Sequence, residues 1–433
     1  RRAALGGYLP ARNSSAPPLI VPPLEAFSTL LEGTGDREIS TTMALVRMMT
    51  TLVKDKNIGK HIVPIVPDEA RTFGMEGMFR QVGIYSSVGQ LYTPQDADQL
   101  MFYREDKQGQ ILEEGINEAG SMCSWIAAAT AYSNHGVSMV PFFIYYSMFG
   151  FQRVGDFIWA AGDSQARGFL VGGTAGRTTL AGEGLQHQDG HSQLVATTVP
   201  NCVAYDPTYA YELAVIVQDG LRRMYQDQES VFYYITCMNE NYAHPAMPAG
   251  AAQGILSGMY LLQIGGRGKV RVTLFGSGTI LREVLAAAEL LEKDFGVPAD
   301  VYSVTSFSEL RKNALAIERW NMLHPGEPRK QTYIQQALAD REGPFIAATD
   351  YMKTVADQIR QWVPGRYTVL GTDGFGRSDS RAELRRFFEV DRHYVVVAAL
   401  KALSDEGKID KHTVNKAMQA FGIDPEKSNP VSV

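Results

Sequence analysis

Two rhythms alternate along this chain, and they restrict its architecture more than any other feature. Short apolar runs at Ile62–Val66, 110–116, 139–146, 169–171, 201–205 and 231–236 read as strands. Between them, segments at 75–81, 118–132, 151–166 and 211–224 carry apolar residues at helical spacing. Strands alternating with helices in this way predict parallel sheets covered on both faces. The rhythm stops between residues 239 and 254, where His244-Pro245, Met247-Pro248 and Ala249-Gly250 fall. It then restarts, with strand candidates at 270–275, 299–304, 345–349, 367–370 and 394–396 and an amphipathic helix at 280–295. Gly265-Gly266-Arg267-Gly268 reads as a hairpin turn. The expected fold class is α/β, with two mostly parallel-sheet domains at 41–250 and 251–433. Residues 1–40 are expected to be a linker segment. Pro10, Pro17, Pro18, Pro22 and Pro23 argue against regular helix there, and helical periodicity starts at Thr41.

A chain of 433 residues has room for two or three domains. Its 41 basic and 47 acidic side chains leave a net charge of −6. A nucleic-acid binder needs a basic surface, so no nucleic-acid partner is expected. The longest apolar stretch, 139–151, is broken by Ser147 and Gly150 and falls short of the ~20 residues of a membrane span. No membrane partner is expected. Cys123, Cys202 and Cys237 are far apart and form no C-x-x-C pair. That pattern predicts small buried thiols in a reducing setting, expected to be cytoplasmic, or an organelle matrix if the source is eukaryotic. The first residue is Arg1 rather than Met, which suggests a processed chain or a piece of something longer.

Several strand ends carry chemistry-bearing residues. Asp68-Glu69 ends the first strand, and Glu118 stands where a strand hands over to a helix rich in small residues. Tyr145-Tyr146-Ser147-Met148-Phe149 ends the next strand. Loops at the C-terminal ends of parallel strands line the binding crevice of such sheets, so these residues are expected to share one cavity. A carboxyl at Glu118 could exchange a proton with a ligand nitrogen, or could simply favour the helix N-terminus. Aromatic side chains there could stack on a flat heterocycle or pack the core. The segment 174–191 is long, polar and poor in apolar anchors, which points to a substrate-contacting loop, the alternative being a solvated, silent one. Within it, Glu183, His187 and His191 follow at i, i+4, i+8, a zinc spacing only if the segment were helical. Gly182, Gly184 and Gly190 argue against that. Gly276-x-Gly278 lacks the third glycine of a dinucleotide fingerprint and reads as a plain strand-to-helix turn. No nucleophile elbow, P-loop, H-E-x-x-H or EF-hand pattern is present.

Longer stretches of the sequence are more specific. They are Pro67-Asp68-Glu69-Ala70-Arg71-Thr72-Phe73-Gly74-Met75-Glu76-Gly77, Glu114-Gly115-Ile116-Asn117-Glu118 and Ile144-Tyr145-Tyr146-Ser147-Met148-Phe149-Gly150. To these are added Gly182-Glu183-Gly184-Leu185-Gln186-His187-Gln188-Asp189-Gly190-His191 and Gly371-Thr372-Asp373-Gly374-Phe375-Gly376-Arg377-Ser378-Asp379. Together they resemble the homodimeric type of pyruvate dehydrogenase, the decarboxylating first component of its complex, and look like its actinobacterial branch. The resemblance runs over essentially the whole chain. It implies a transketolase-like pyrimidine-binding domain followed by a transketolase C-terminal-like domain. The cofactor it implies is thiamine diphosphate. By the same resemblance, Glu118 hydrogen-bonds the aminopyrimidine ring and Phe149 stacks on it. Tyr146, Glu183 and His187 match active-centre positions near the substrate, and Asp68 and Glu69 match acids lining the cavity. The implied partners are pyruvate, the lipoyl domain of the dihydrolipoamide acetyltransferase and a second copy in a homodimer.

One departure is large. The family holds magnesium through Gly-Asp-Gly and a later asparagine, and this chain has neither; Gly155-Asp156-Phe157 lacks the last glycine. Magnesium ligands are therefore expected on a missing N-terminal half, and none is named here. The chain is expected to supply the pyrimidine side of an active centre, the alternative being a catalytically incomplete fragment that serves dimerisation or assembly.

Overall fold

The computed structural model describes residues 16–67, 70–95, 97–98, 103–182, 184, 186–341 and 343–433. Six strands form the first sheet: β1 (Ile62–Val66), β2 (Leu112–Glu113), β3 (Val140–Tyr146), β4 (Phe169–Gly173), β5 (Cys202–Tyr205) and β6 (Phe232–Thr236). Their order is β2-β1-β3-β4-β6-β5, and every pair is parallel. Strand alternation divides β3 between two cores. Phe142 and Ile144 pack with residues of α1 (Thr41–Leu52) and α4 (Ala210–Leu221). Phe143 and Tyr145 pack on the other face with residues of α2 (Glu118–Ala129) and α3 (Phe151–Asp163). The small residues of α2 let it lie close to the sheet, and its largest side chain, Trp125, is fully buried and donates from Nε1 to the Phe169 carbonyl at 3.0 Å.

The second sheet has five strands: β7 (Met259–Gln263), β8 (Val272–Gly276), β9 (Ala299–Val304), β10 (Phe345–Ala348) and β11 (Tyr367–Leu370). Their order is β7-β9-β8-β10-β11, with only β7 antiparallel. The helices α5 (Ile280–Phe295) and α7 (Arg392–Asp405) cover one face and α6 (Phe307–Leu323) the other. Two expectations fail here. The glycine run at 265–268 is not a hairpin, because β7 pairs with β9 and not with β8. The run crosses the start of β9 instead: a Cβ on Gly265 would lie 2.6 Å from Ala299 backbone atoms, so only glycine passes. Residues 394–396 are helical, not a strand. Asp391 caps that helix by accepting from the His393 and Tyr394 amides, and Val395, Val396, Ala399, Leu400 and Leu403 bury one face at helical spacing. That burial overrides the β preference of Val395-Val396-Val397.

The two sheets meet along β5. The Asp206 amide donates to the Thr305 carbonyl at 2.8 Å, Ser306 Oγ to the Ala204 carbonyl at 2.6 Å and Thr208 Oγ1 to the Gly278 carbonyl at 2.7 Å. Within the segment expected to be a linker, the described residues 16–40 include regular structure. Residues Ser28–Leu31 form a helical turn, Phe27 and Leu30 are buried, and Glu38–Ile39 pairs antiparallel with Tyr242–Ala243. Its prolines all precede this turn. His244 locks the arrangement: its Nδ1 accepts from the Ala210 amide at 2.8 Å, so the proton sits on Nε2 and is donated to the Ile39 carbonyl at 2.9 Å. Burial lowers the His244 pKa from 6.5 to about 4. The three cysteines are free. Cys202 and Cys237 are buried as expected, but Cys123 is exposed because it faces outward from α2. No helix among the described residues is long and apolar enough to cross a membrane.

Candidate active centre

The chain leaves β1 for β2 on one side, while β3 lies on the other. Such a reversal opens a crevice at the C-terminal strand ends. A cavity of about 200 Å³ is found there. Pro67 follows β1, Ile116 and Glu118 follow β2, and Tyr146 ends β3. Phe149 and Arg153 come from the turn and helix after β3, and Phe73 and His187 complete the wall. The pleat decides which tyrosine enters: Tyr145 is buried in the core, and Tyr146 faces the cavity. Gly173, at the end of β4, lets Phe73 approach; a Cβ there would sit 2.5 Å from the Phe73 ring.

Glu118 is the first residue of α2, whose N-cap Asn117 accepts from the Gly120 amide at 3.0 Å. Its carboxylate thus lies at the positive end of a helix and also lines the cavity. Arg153 Nη1 donates to Glu118 Oε1 at 2.9 Å, and the same guanidinium lies 3.8 Å from the centroid of the Phe149 ring. His187 packs edge-on to Tyr146 with centroids 5.0 Å apart, and against Phe149 at 4.9 Å. Tyr146 also touches Phe73 and Phe149, at 5.5 and 5.9 Å. The result is a carboxylate facing a wall of flat rings.

Four expected residues, Glu118, Tyr146, Phe149 and His187, are therefore brought together. Asp68, Glu69 and Glu183 lie outside the described residues. Of the two described residues at zinc spacing, His191 Nε2 contacts Gln152 Oε1 at 3.0 Å, while His187 packs among the aromatic rings. No group of three or more potential metal ligands occurs among the described residues. Sequence reasoning missed Arg153, Phe73, Pro67 and Ile116. Arg153 had a readable signal, since it stands four residues after Phe149 across the start of a helix. The cavity is smaller than the ~300–1,000 Å³ of a complete small-molecule site, so it suits one ring of a larger ligand. A carboxylate beside aromatic faces fits a flat, nitrogen-bearing heterocycle such as the pyrimidine of thiamine diphosphate.

Residues 20–245 match the family described as the pyruvate dehydrogenase E1 component middle domain. The chain belongs to the pyruvate dehydrogenase E1 family. Residues 258–391 of this E1-family chain match the transketolase-like C-terminal domain. It is 66% identical over 433 residues to the pyruvate dehydrogenase E1 component of Pseudomonas aeruginosa, covering 100% of this chain and 49% of that protein. The E1 component of Cupriavidus necator is 61% identical over 435 residues, with 100% and 49% covered. That of Escherichia coli K12 is 59% identical over 433 residues, with 99% and 48% covered. The chain thus spans about half the length of the curated relatives it matches. None of these three relatives is actinobacterial, so the expected branch gains no support from them. Among solved structures, transketolase from Campylobacter jejuni aligns with a TM-score of 0.64 at 16% identity, over 87% of this chain and 49% of that one. A split-gene transketolase described as an inactive beta4 tetramer aligns at 0.55 and 16%, over 84% of this chain and 98% of that one. These two likenesses establish the transketolase-like fold of the E1-family chain.

Proposed function

We propose that this chain supplies the pyrimidine side of a thiamine diphosphate active centre that oxidatively decarboxylates pyruvate and passes the two-carbon fragment to a lipoyl group. The observation that carries the reading is the Glu118 carboxylate held at the mouth of α2, facing Tyr146, Phe149 and His187 in one cavity. Thiamine diphosphate, when bound, supplies a nucleophilic carbon and an electron sink. The protein's part is proton traffic and orientation. Glu118 would hold a proton at its carboxylate against a ring nitrogen, and Phe149 would fix the ring plane by stacking. His187 offers a ring nitrogen as donor or acceptor to the substrate's carboxylate or carbonyl, beside Tyr146. Glu183, Asp68 and Glu69 are assigned to the same cavity on the strength of the sequence motifs. The reading includes magnesium held by residues outside this chain, a homodimer, a cytoplasmic setting and a lipoyl domain of the dihydrolipoamide acetyltransferase as partner. It also assigns 41–250 as the pyrimidine-binding domain and 251–433 as the C-terminal domain.

The test is Glu118→Gln in the complete enzyme. Turnover of pyruvate should fall by roughly 10²–10⁴-fold, the range for a lost general acid–base group. The thermal midpoint should hardly move, and near-normal turnover refutes the role. A second reading, an assembly half that is silent by itself, is favoured by the likeness to the split-gene transketolase chain. Carbon dioxide release from the isolated 433-residue chain, given thiamine diphosphate, magnesium and pyruvate, would exclude it.

A further inference from the structure

His187 belongs to a segment that leaves the first sheet after β4, and beside first-half contacts such as the Ala175 amide on the Cys237 carbonyl it has a set of partners in the second half of the chain. Asp350, two residues past the β10 end and fully buried, accepts four hydrogen bonds from it. The Thr178 amide and hydroxyl donate to Oδ1 at 2.8 and 2.6 Å, and those of Thr179 to Oδ2 at 3.1 and 2.6 Å. Arg381 Nε donates to the Thr179 carbonyl at 2.7 Å, and the Gly182 amide to the Asp379 carbonyl at 3.2 Å. Beyond His187, the Met352 amide donates to the Gly190 carbonyl at 2.8 Å. The most telling contact is next to the histidine. Gln188 is 1% exposed and uses its whole amide. Its Nε2 donates to the carbonyls of Leu180 and Arg377 at 2.9 and 2.7 Å, while its Oε1 accepts from the Arg377 amide at 2.7 Å.

Charged and hydrogen-bonded anchors add to the few apolar ones, Ala175 and Leu180, that this segment buries. A polar clamp of this kind is directional, so it sets a side-chain position more narrowly than apolar contact does. No described residue after 190 lines the cavity, but residues 350–381 hold the segment that brings His187 to it.

We propose that Gln188 is a positioning residue: by clamping the 377 backbone it fixes His187 against Tyr146 and Phe149. The second half of the chain thereby sets the geometry of a site it does not line. The proposal rests on the reading of His187 as a group that meets the substrate.

Two variants test it, Gln188→Leu, which removes the clamp, and Arg381→Met, which loosens the same segment from a partly exposed position. In the 433-residue chain, amide hydrogen exchange over 181–191 should speed up at least about tenfold in Gln188→Leu and less in Arg381→Met. With histidine-selective isotope labelling, the His187 ring signal should move, while those of His135 and His412 stay in place. In the complete enzyme kcat should fall about tenfold to a hundredfold, as expected for a misplaced group. KM for pyruvate should change little. Unchanged exchange and an unmoved His187 signal in Gln188→Leu overturn the positioning role, whatever the turnover. A moved signal with faster exchange but full turnover upholds the clamp and overturns the catalytic reading of His187.

Discussion

Asp206 sits where the two sheets meet, and its burial has a calculable pH signature. The carboxyl is enclosed on all sides. Thr236 Oγ1 and Tyr351 OH donate to Oδ1 at 2.7 and 3.2 Å, and Oδ2 has no hydrogen-bond partner among the described residues. Burial is the main cause that raises its pKa from 3.8 to about 7, with repulsion from Asp350 adding to it. An acid with a raised folded-state pKa binds its proton more tightly in the folded chain than in the unfolded one. Its contribution is therefore complete below pH 3.8, falls as pH rises, and levels off above about 7. The window is roughly three pH units, which at about 1.4 kcal/mol per unit amounts to about 4 kcal/mol. About 3 kcal/mol of that falls between pH 5 and pH 8. Asp206→Asn cannot ionise. Urea unfolding of parent and variant across this range isolates the term, because other titrations cancel in the difference. The parent should lose about 3 kcal/mol relative to the variant as pH rises from 5 to 8. A difference that stays constant within about 0.5 kcal/mol refutes the account.

Two further substitutions probe neighbouring features. His244 runs the opposite way: a base whose pKa falls from 6.5 to about 4 contributes fully above pH 6.5, and that stability is lost as pH falls through 4. His244→Gln should abolish an acid-induced loss of about 3 kcal/mol, measured by urea unfolding between those pH values, and an unchanged acid limb rules the ring out. Gly278 has φ +51°, and a Cβ there would lie 2.6 Å from Met238 Cε and 2.8 Å from Asp206 Oδ2. Gly278→Ala should cost about 2–4 kcal/mol in chemical denaturation, from left-handed strain plus overpacking; a cost under ~0.5 kcal/mol contradicts the close fit.

Local order was readable from the sequence wherever a local cause produced it. Buried parallel strands announce themselves as short apolar runs, and Ile62–Val66 and Phe345–Ala348 lie where those runs predict. Glu118 was readable because a strand end and a helix start coincide there, and Tyr146 and Phe149 because they follow the next strand end. The failures have physical causes too. The valines at 395–397 carry β preference, and only the cap at Asp391 and one-sided burial make them helical. The glycines at 265–268 mark a close crossing rather than a turn, which depends on β9 lying beside them. The clamp on His187 was invisible, since Gln188 and Arg377 are 189 positions apart and nothing local distinguishes a buried glutamine from an exposed one.

The segment before α1 changes what a break in the connection between halves would do. It reaches one way to the first half, where the Leu19 amide donates to the Tyr225 carbonyl at 2.9 Å. It reaches the other way to the connector, where the Thr34 amide meets the His244 carbonyl at 2.8 Å and the Met247 amide meets the Leu31 carbonyl at 2.8 Å. The connector is thus splinted along its length rather than hanging free. A protease that nicks the exposed Ala249-Gly250 would cut the chain downstream of that splint. The fragments would stay joined by the β5 junction, and the cut would open a gap in the polypeptide without opening the molecule.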